Sequence, residues 1–89
     1  MFEQFKERIA HENPDALLLD GFEDALVGVG YQPCSSAIAL YSYSKCVDVL
    51  VTRDGMDREG AIEYIEYNVR GAYVGENSPI LIEILDANN

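Results

Sequence analysis

Glu59, Glu63 and Glu66 stand four and three residues apart, so on a helix their carboxylates share a face. Clustered carboxylate oxygens are what a hard cation such as Mg²⁺ takes, and with such an ion they could activate water in a divalent-metal-dependent hydrolase or nuclease. A solvated helix face accounts for the same spacing more simply. Asp20, Glu23 and Asp24 form a second acidic group at a turn, but they lack the ordered oxygen ligands of a calcium loop. The lone His11 has no Cys or Asp placed beside it as in a catalytic set, and a cation closing a helix is its simpler role. Cys34 and Cys46 show no Cys-x-x-Cys spacing, so both read as small buried thiols in a reducing compartment. Gly28-x-Gly30 lacks the third glycine and the helix start of a nucleotide loop. No nucleophile stands with a base, so no catalytic, cofactor or metal residue is assigned.

Residues suited to contact are more plentiful. Tyr64, Tyr67, Asn68, Tyr73 and Glu76 crowd the end of one helical stretch, and tyrosine offers a flat apolar body with a polar tip, as interfaces use. The plain alternative is that Asn68 and Glu76 satisfy backbone groups where the helix stops. The candidate partner-binding set is Glu23, Asp24, Glu63, Tyr64, Glu66, Tyr67, Asn68, Tyr73 and Glu76. Sixteen acidic against six basic side chains give a formal charge of −10, and no Lys or Arg falls between Arg8 and Lys45. That charge opposes direct nucleic-acid binding and approach to anionic membranes, and favours a protein partner with a basic or mixed-charge surface.

These residues need elements to hold them. Phe2, Phe5 and Ile9 recur at helical spacing, which predicts a helix over residues 2–11 that Asn13-Pro14 ends. Leu17-Leu18-Leu19 is too short to classify, and Asp20-Gly21 signals a turn. Alternation over residues 24–31 predicts a strand whose second face, at Gly28 and Gly30, is nearly bare and could take a helix or another backbone. A turn over 32–36 leads to a strand over 37–41, apolar on both faces. Residues 42–54 fit either period, but helix is chosen because Ser42 or Ser44 can cap its start, Arg53 sits in its last turn and Gly55 can take the left-handed position past its end. Asp57 can cap a further helix over 58–72 with Ile62, Ile65 and Val69 on its stripe, and Glu66 precedes Arg70 by one favourable helical step. A turn at 75–79 and a strand over 80–85 follow. The expected fold is α+β: one domain over residues 1–89, with an amino-terminal helix in 1–12, a ββααβ body over 24–85 and a polar tail at 86–89. Its small three-stranded, mainly antiparallel sheet packs on a helix pair. Two helices in a row should return the chain to the end of the sheet it left, so the last strand is expected antiparallel to the second, beside it or beside the first. The second sheet face needs the first helix or another copy of the chain to close it.

The run Gly71-Ala72-Tyr73-Val74-Gly75-Glu76-Asn77-Ser78-Pro79, with Asp54-Gly55-Met56 and Ala61-Ile62-Glu63-Tyr64-Ile65-Glu66-Tyr67-Asn68, resembles a group of short phage and bacterial proteins without an assigned activity. The likeness covers residues 20–85, and Gly-Ala-Tyr-Val-Gly-Glu is its most specific part. Gly60 stands where that group would carry an acidic residue, and Tyr64 and Tyr67 where it would mix in Phe. The resemblance implies a shared fold and a phage setting, and no chemistry. Residues 1–10 lack the apolar core and cleavage site of a signal peptide, and no apolar run is long enough to span a bilayer, so the cytoplasm is expected, that of the host if phage-encoded. The expected function is a small acidic non-enzymatic protein-binding module. Metal-dependent hydrolysis and a homo-oligomeric structural part, such as a homodimer, are the alternatives.

Overall fold

The computed structural model describes residues 2–71 and 75–85. Three helices and a three-stranded mixed sheet make an α+β fold. Helix α1 spans Phe2–Glu12, strands β1 and β2 span Leu26–Gly30 and Ile38–Ser42, helices α2 and α3 span Tyr43–Asp54 and Arg58–Ile65, and strand β3 spans Ile80–Ile82. The helical path of α3 continues through one π turn at Glu66–Arg70. No helix of the described residues is long and apolar enough to cross a membrane.

The helix signals hold. Ile9 of α1 is buried, Phe2 and Phe5 pack against the core, and His11 lies exposed in the last turn. The ambiguous 42–54 segment is helical, and Ser42 is its cap: its Oγ accepts from the Lys45 amide at 3.2 Å, while Gly55 closes the other end at φ +69°. Asp57 caps α3 by accepting from the Gly60 amide at 2.9 Å. A Cβ on Gly60 would lie 2.7 Å from that capping oxygen, so the missing side chain leaves the cap undisturbed.

Several expectations are corrected. The first strand is shorter than 24–31, because Glu23–Ala25 wind into a 3₁₀ turn closed by the Ala25 amide on the Phe22 carbonyl at 2.9 Å. The final strand is paired only over Ile80–Ile82 and runs parallel to β2, with Leu40 beside Ile80 and Ser42 beside Ile82. The helix pair does return toward the end of β2, where Tyr43 meets Glu66, but the described chain resumes at the opposite end of that strand. Asn13 and Asn77 fix where the chain lands: the Asn13 Nδ2 donates to the Ala37 carbonyl at 2.8 Å and to Asn77 Oδ1 at 2.9 Å. The Leu17 amide donates to the Asn77 carbonyl at 3.0 Å. Asn77 therefore lies near the start of β2, and the following residues pair forward along it. Cys34 is exposed, not buried, in the hairpin turn at φ +62°, whereas Cys46 is buried in α2. Tyr73 and the tail at 86–89 lie outside the described residues.

The core lies on one face of the sheet. Ala39 and Tyr41 of β2 join Ile9, Phe22, Ala25, Leu26, Cys46, Val47, Leu50, Ala61 and Ile65 in a single buried cluster, against which Val29 and Leu81 pack. Ile38, Leu40, Ile80 and Ile82 alternate to the opposite face and stand outside that cluster. The first helix thus joins the helix pair on the core side, while Ile38 on the opposite face is itself buried. The bare glycines of β1 are covered from within the sheet: Leu40 leans over them, and a Cβ on Gly30 would lie 2.8 Å from its Cδ2.

Candidate functional site

A cleft of about 560 Å³ opens between the π turn and β3. Its walls are made by alternation and by one helical irregularity. Pro79, Leu81 and Glu83 line it from β3 and its flanks, Glu66, Asn68, Val69 and Arg70 come from the π turn, and Tyr43 and Leu19 complete the lining. A π turn widens the helix by one residue per hydrogen-bonded ring and tends to occur where a site needs side chains re-aimed. Here it turns Glu66, Val69 and Arg70 toward one space.

Both oxygens of Glu66 are engaged. The Tyr43 hydroxyl donates to Oε2 at 2.7 Å and Arg70 Nη1 donates to Oε1 at 2.7 Å. The Tyr43 hydrogen bond, then that of Arg70, holds the Glu66 carboxyl below its ordinary range. The same bond raises the Tyr43 phenol, with burial adding to it. Arg70 is raised first by Glu66, and the Tyr43 and Glu83 charges act in the same direction. The cleft therefore holds one neutralised ion pair and one further carboxylate, Glu83. Apolar surface from Leu19, Val69 and Leu81 lies next to them.

Of the residues singled out from sequence, Glu66 and Asn68 line this cleft. Asn68 also donates back to the Tyr64 carbonyl at 3.2 Å, as expected of a residue satisfying backbone near a helix end. Glu63, Tyr64 and Tyr67 face solvent beside the cleft, with Tyr67 82% and Tyr64 40% exposed, and Glu76 is exposed in the turn before β3. Glu23 and Asp24 lie elsewhere, at a smaller depression of about 310 Å³ with Phe2, Phe5, Leu26 and Lys45. Sequence reasoning missed Tyr43 and Glu83 as wall residues. Their alternation and position were visible, but contact across 23 residues, as between Tyr43 and Glu66, leaves no local signal.

Metal chemistry finds no cluster: among the described residues no group of three His, Cys, Asp or Glu side chains could hold an ion. Glu66, the member of the Glu59, Glu63 and Glu66 row nearest a cavity, already binds Tyr43 and Arg70. Burial pushes the Cys46 thiol up to about 11, which keeps it protonated and unreactive at neutral pH. Each of the four arginines sits beside a carboxylate, Arg8 with Glu12, Arg53 with Asp54, Arg58 with Asp48 and Arg70 with Glu66. The unpaired charge of the described surface is consequently almost all negative. No family model, no curated protein and no solved structure matches the chain.

Proposed function

We propose that the chain is a non-enzymatic protein-binding module whose acidic surface docks on a basic or mixed-charge region of another protein. The observation that carries this reading is the outer side of α3 and its π turn. Tyr64 and Tyr67 are exposed there beside Glu59 and Glu63, which have no cation paired with them among the described residues, while Ala61 and Ile65 on the inner side are buried. Exposed tyrosines supply contact area at little entropic cost, and unpaired carboxylates supply attraction at a distance. In the phage setting that the sequence likeness implies, the partner is a host protein met in the host cytoplasm.

The test is affinity capture from such a host lysate, followed by a salt titration of the captured complex. Capture that weakens as NaCl rises from about 50 to about 500 mM supports electrostatic docking, because the Debye length falls several-fold over that range. Tyr67→Ala should weaken it further at every salt concentration. A complex indifferent to both would overturn the reading.

A further inference from the structure

The geometry points to the open edge of β3 and the adjoining cleft as a strand-addition site for an extended partner segment of alternating aliphatic and basic residues. This inference rests on the protein-binding reading and specifies how the partner enters. In the order β1, β2, β3 the third strand is terminal, and among the described residues β2 is its only strand neighbour. An edge strand presents alternate N–H and C=O groups with no ladder partner, and a chain laid alongside can take them up. Shortness is the one protection this edge has, since β3 is paired over only three residues; charge and proline are nearly absent. From Ile80 to Leu85 there is no proline and only one charge, Glu83. Ile80 is 38% exposed, Ile84 68% and Leu85 95%.

The two faces beside that edge differ, and the difference sets the pattern of the occupant. Ile80 and Ile82 lie on the outer face with Leu40, so side chains of an added strand that point outward would extend an aliphatic row. Side chains pointing the other way would enter the cleft of about 560 Å³, where Leu81 and Glu83 line the wall. Arg70 is already bound to Glu66 at 2.7 Å, which leaves Glu83, though within reach of the Arg70 charge, as the cleft carboxylate with no salt bridge among the described residues. A lysine or arginine stem packs on Leu81 while its head reaches Glu83. The charge also selects between occupants. A second copy would bring another formal −10 to the same edge, whereas a basic segment is drawn to it.

The experiment uses the full chain and an acetylated, amidated seven-residue peptide alternating Lys and Val. Two further versions carry N-methyl groups on every second amide, one version for each edge of the peptide. Backbone amide shifts in the ¹⁵N-labelled protein locate binding, and titration gives affinity. The expected result is that the unmodified peptide shifts Ile80–Leu85 together with Val69 and Arg70. One methylated version should bind about tenfold or more weaker, and the other should bind as the parent does, because a strand pairs through one edge only. Glu83→Gln should weaken the parent peptide without changing which methylated version fails. Equal binding of all three peptides, or no shift at Ile80–Leu85, overturns strand addition. Such an outcome leaves salt-sensitive capture through Tyr64 and Tyr67 standing as a separate result. Sedimentation of the protein alone as a dimer whose mass the peptide does not reduce assigns the edge to a second copy and also overturns the inference.

Discussion

Tyr43 is the residue on which the cleft turns, because its hydroxyl ties the start of α2 to the π turn through Glu66. The sign of the linkage follows from the two shifts. The Glu66 carboxyl is lowered, so its contribution is full above the ordinary carboxylate value of about 4.3 and fades as pH falls through the lower folded value. The Tyr43 phenol is raised, so its contribution is full below about 10 and fades as pH rises through the raised value. Tyr43→Phe should therefore lower the melting temperature by roughly 2 to 4 °C between about pH 5 and pH 9, with the difference closing at both ends. Glu66→Gln keeps an acceptor for Tyr43 but removes the acid limb of that profile. Thermal melts across pH decide both, and a constant Tyr43→Phe deficit down to pH 2 would count against the link. A second contrast lies in β1. A Cβ on Gly30 would press on Leu40 Cδ2 at 2.8 Å and Cγ at 3.3 Å, but one on Gly28 would meet Leu40 only at 4.0 Å. Gly30→Ala is expected to cost about 1 kcal/mol, through a displaced Leu40. Gly28→Ala should be neutral or stabilising by a few tenths, since it restricts the unfolded chain. Urea denaturation of the two variants measures the difference directly.

At the scale of elements, what could be read in advance is what short-range chemistry decides. The helix over 42–54 was ambiguous by period, since Val47, Val49 and Val51 also alternate, and terminal chemistry resolved it through Ser42, Arg53 and Gly55. Ser42→Ala should cost about 1 kcal/mol in urea denaturation, as lost N-caps do. Ser44→Ala should stay within about 0.5 kcal/mol, because Ser44 meets Ser42 Oγ at 3.2 Å but caps nothing itself. Equal losses would mean that the two serines share the cap. The direction of β3 was not legible, because two returning helices fix where the chain leaves α3 and not where it rejoins the sheet. What set the direction was the link of Asn13 to Ala37 and Asn77, contacts 24 and 64 residues apart in the chain. The π turn was hidden for a related reason: the apolar stripe of Ile62, Ile65 and Val69 is continuous through it, and one widened ring barely disturbs that spacing. Asn13 drew notice only as part of a helix stop, although its buried amide joins three segments. Of the cleft, the Glu66 to Arg70 step could be read from sequence, and the Tyr43 and Glu83 walls could not.

Over the whole molecule, charge is the variable that acts on folding and on docking with opposite signs. A formal charge of −10 is carried by a body whose principal extents are 38 by 31 by 23 Å, so most of its carboxylates lie within a few Debye lengths of one another at physiological salt. Folding gathers that charge into a smaller volume than the unfolded chain occupies, and self-repulsion opposes the compact state. The paired arginines offset it only locally, since exposed ion pairs contribute little each. Raising NaCl from about 20 to about 200 mM should therefore raise the melting temperature of the free protein by a few degrees. The same change should weaken any complex with a basic partner, because there the screened interaction is attractive. Calorimetry of the free chain and titration of the complex in matched buffers read the two effects side by side. If salt stabilises the fold and loosens the complex, uncompensated negative charge is common to both. If salt instead strengthens the complex, apolar contact at Tyr64, Tyr67 and the β3 edge dominates, since excess salt favours apolar burial while it screens charge. A melting temperature indifferent to salt would mean that the carboxylates are far enough apart to be solvated singly, and the electrostatic case for a basic partner would lose its premise.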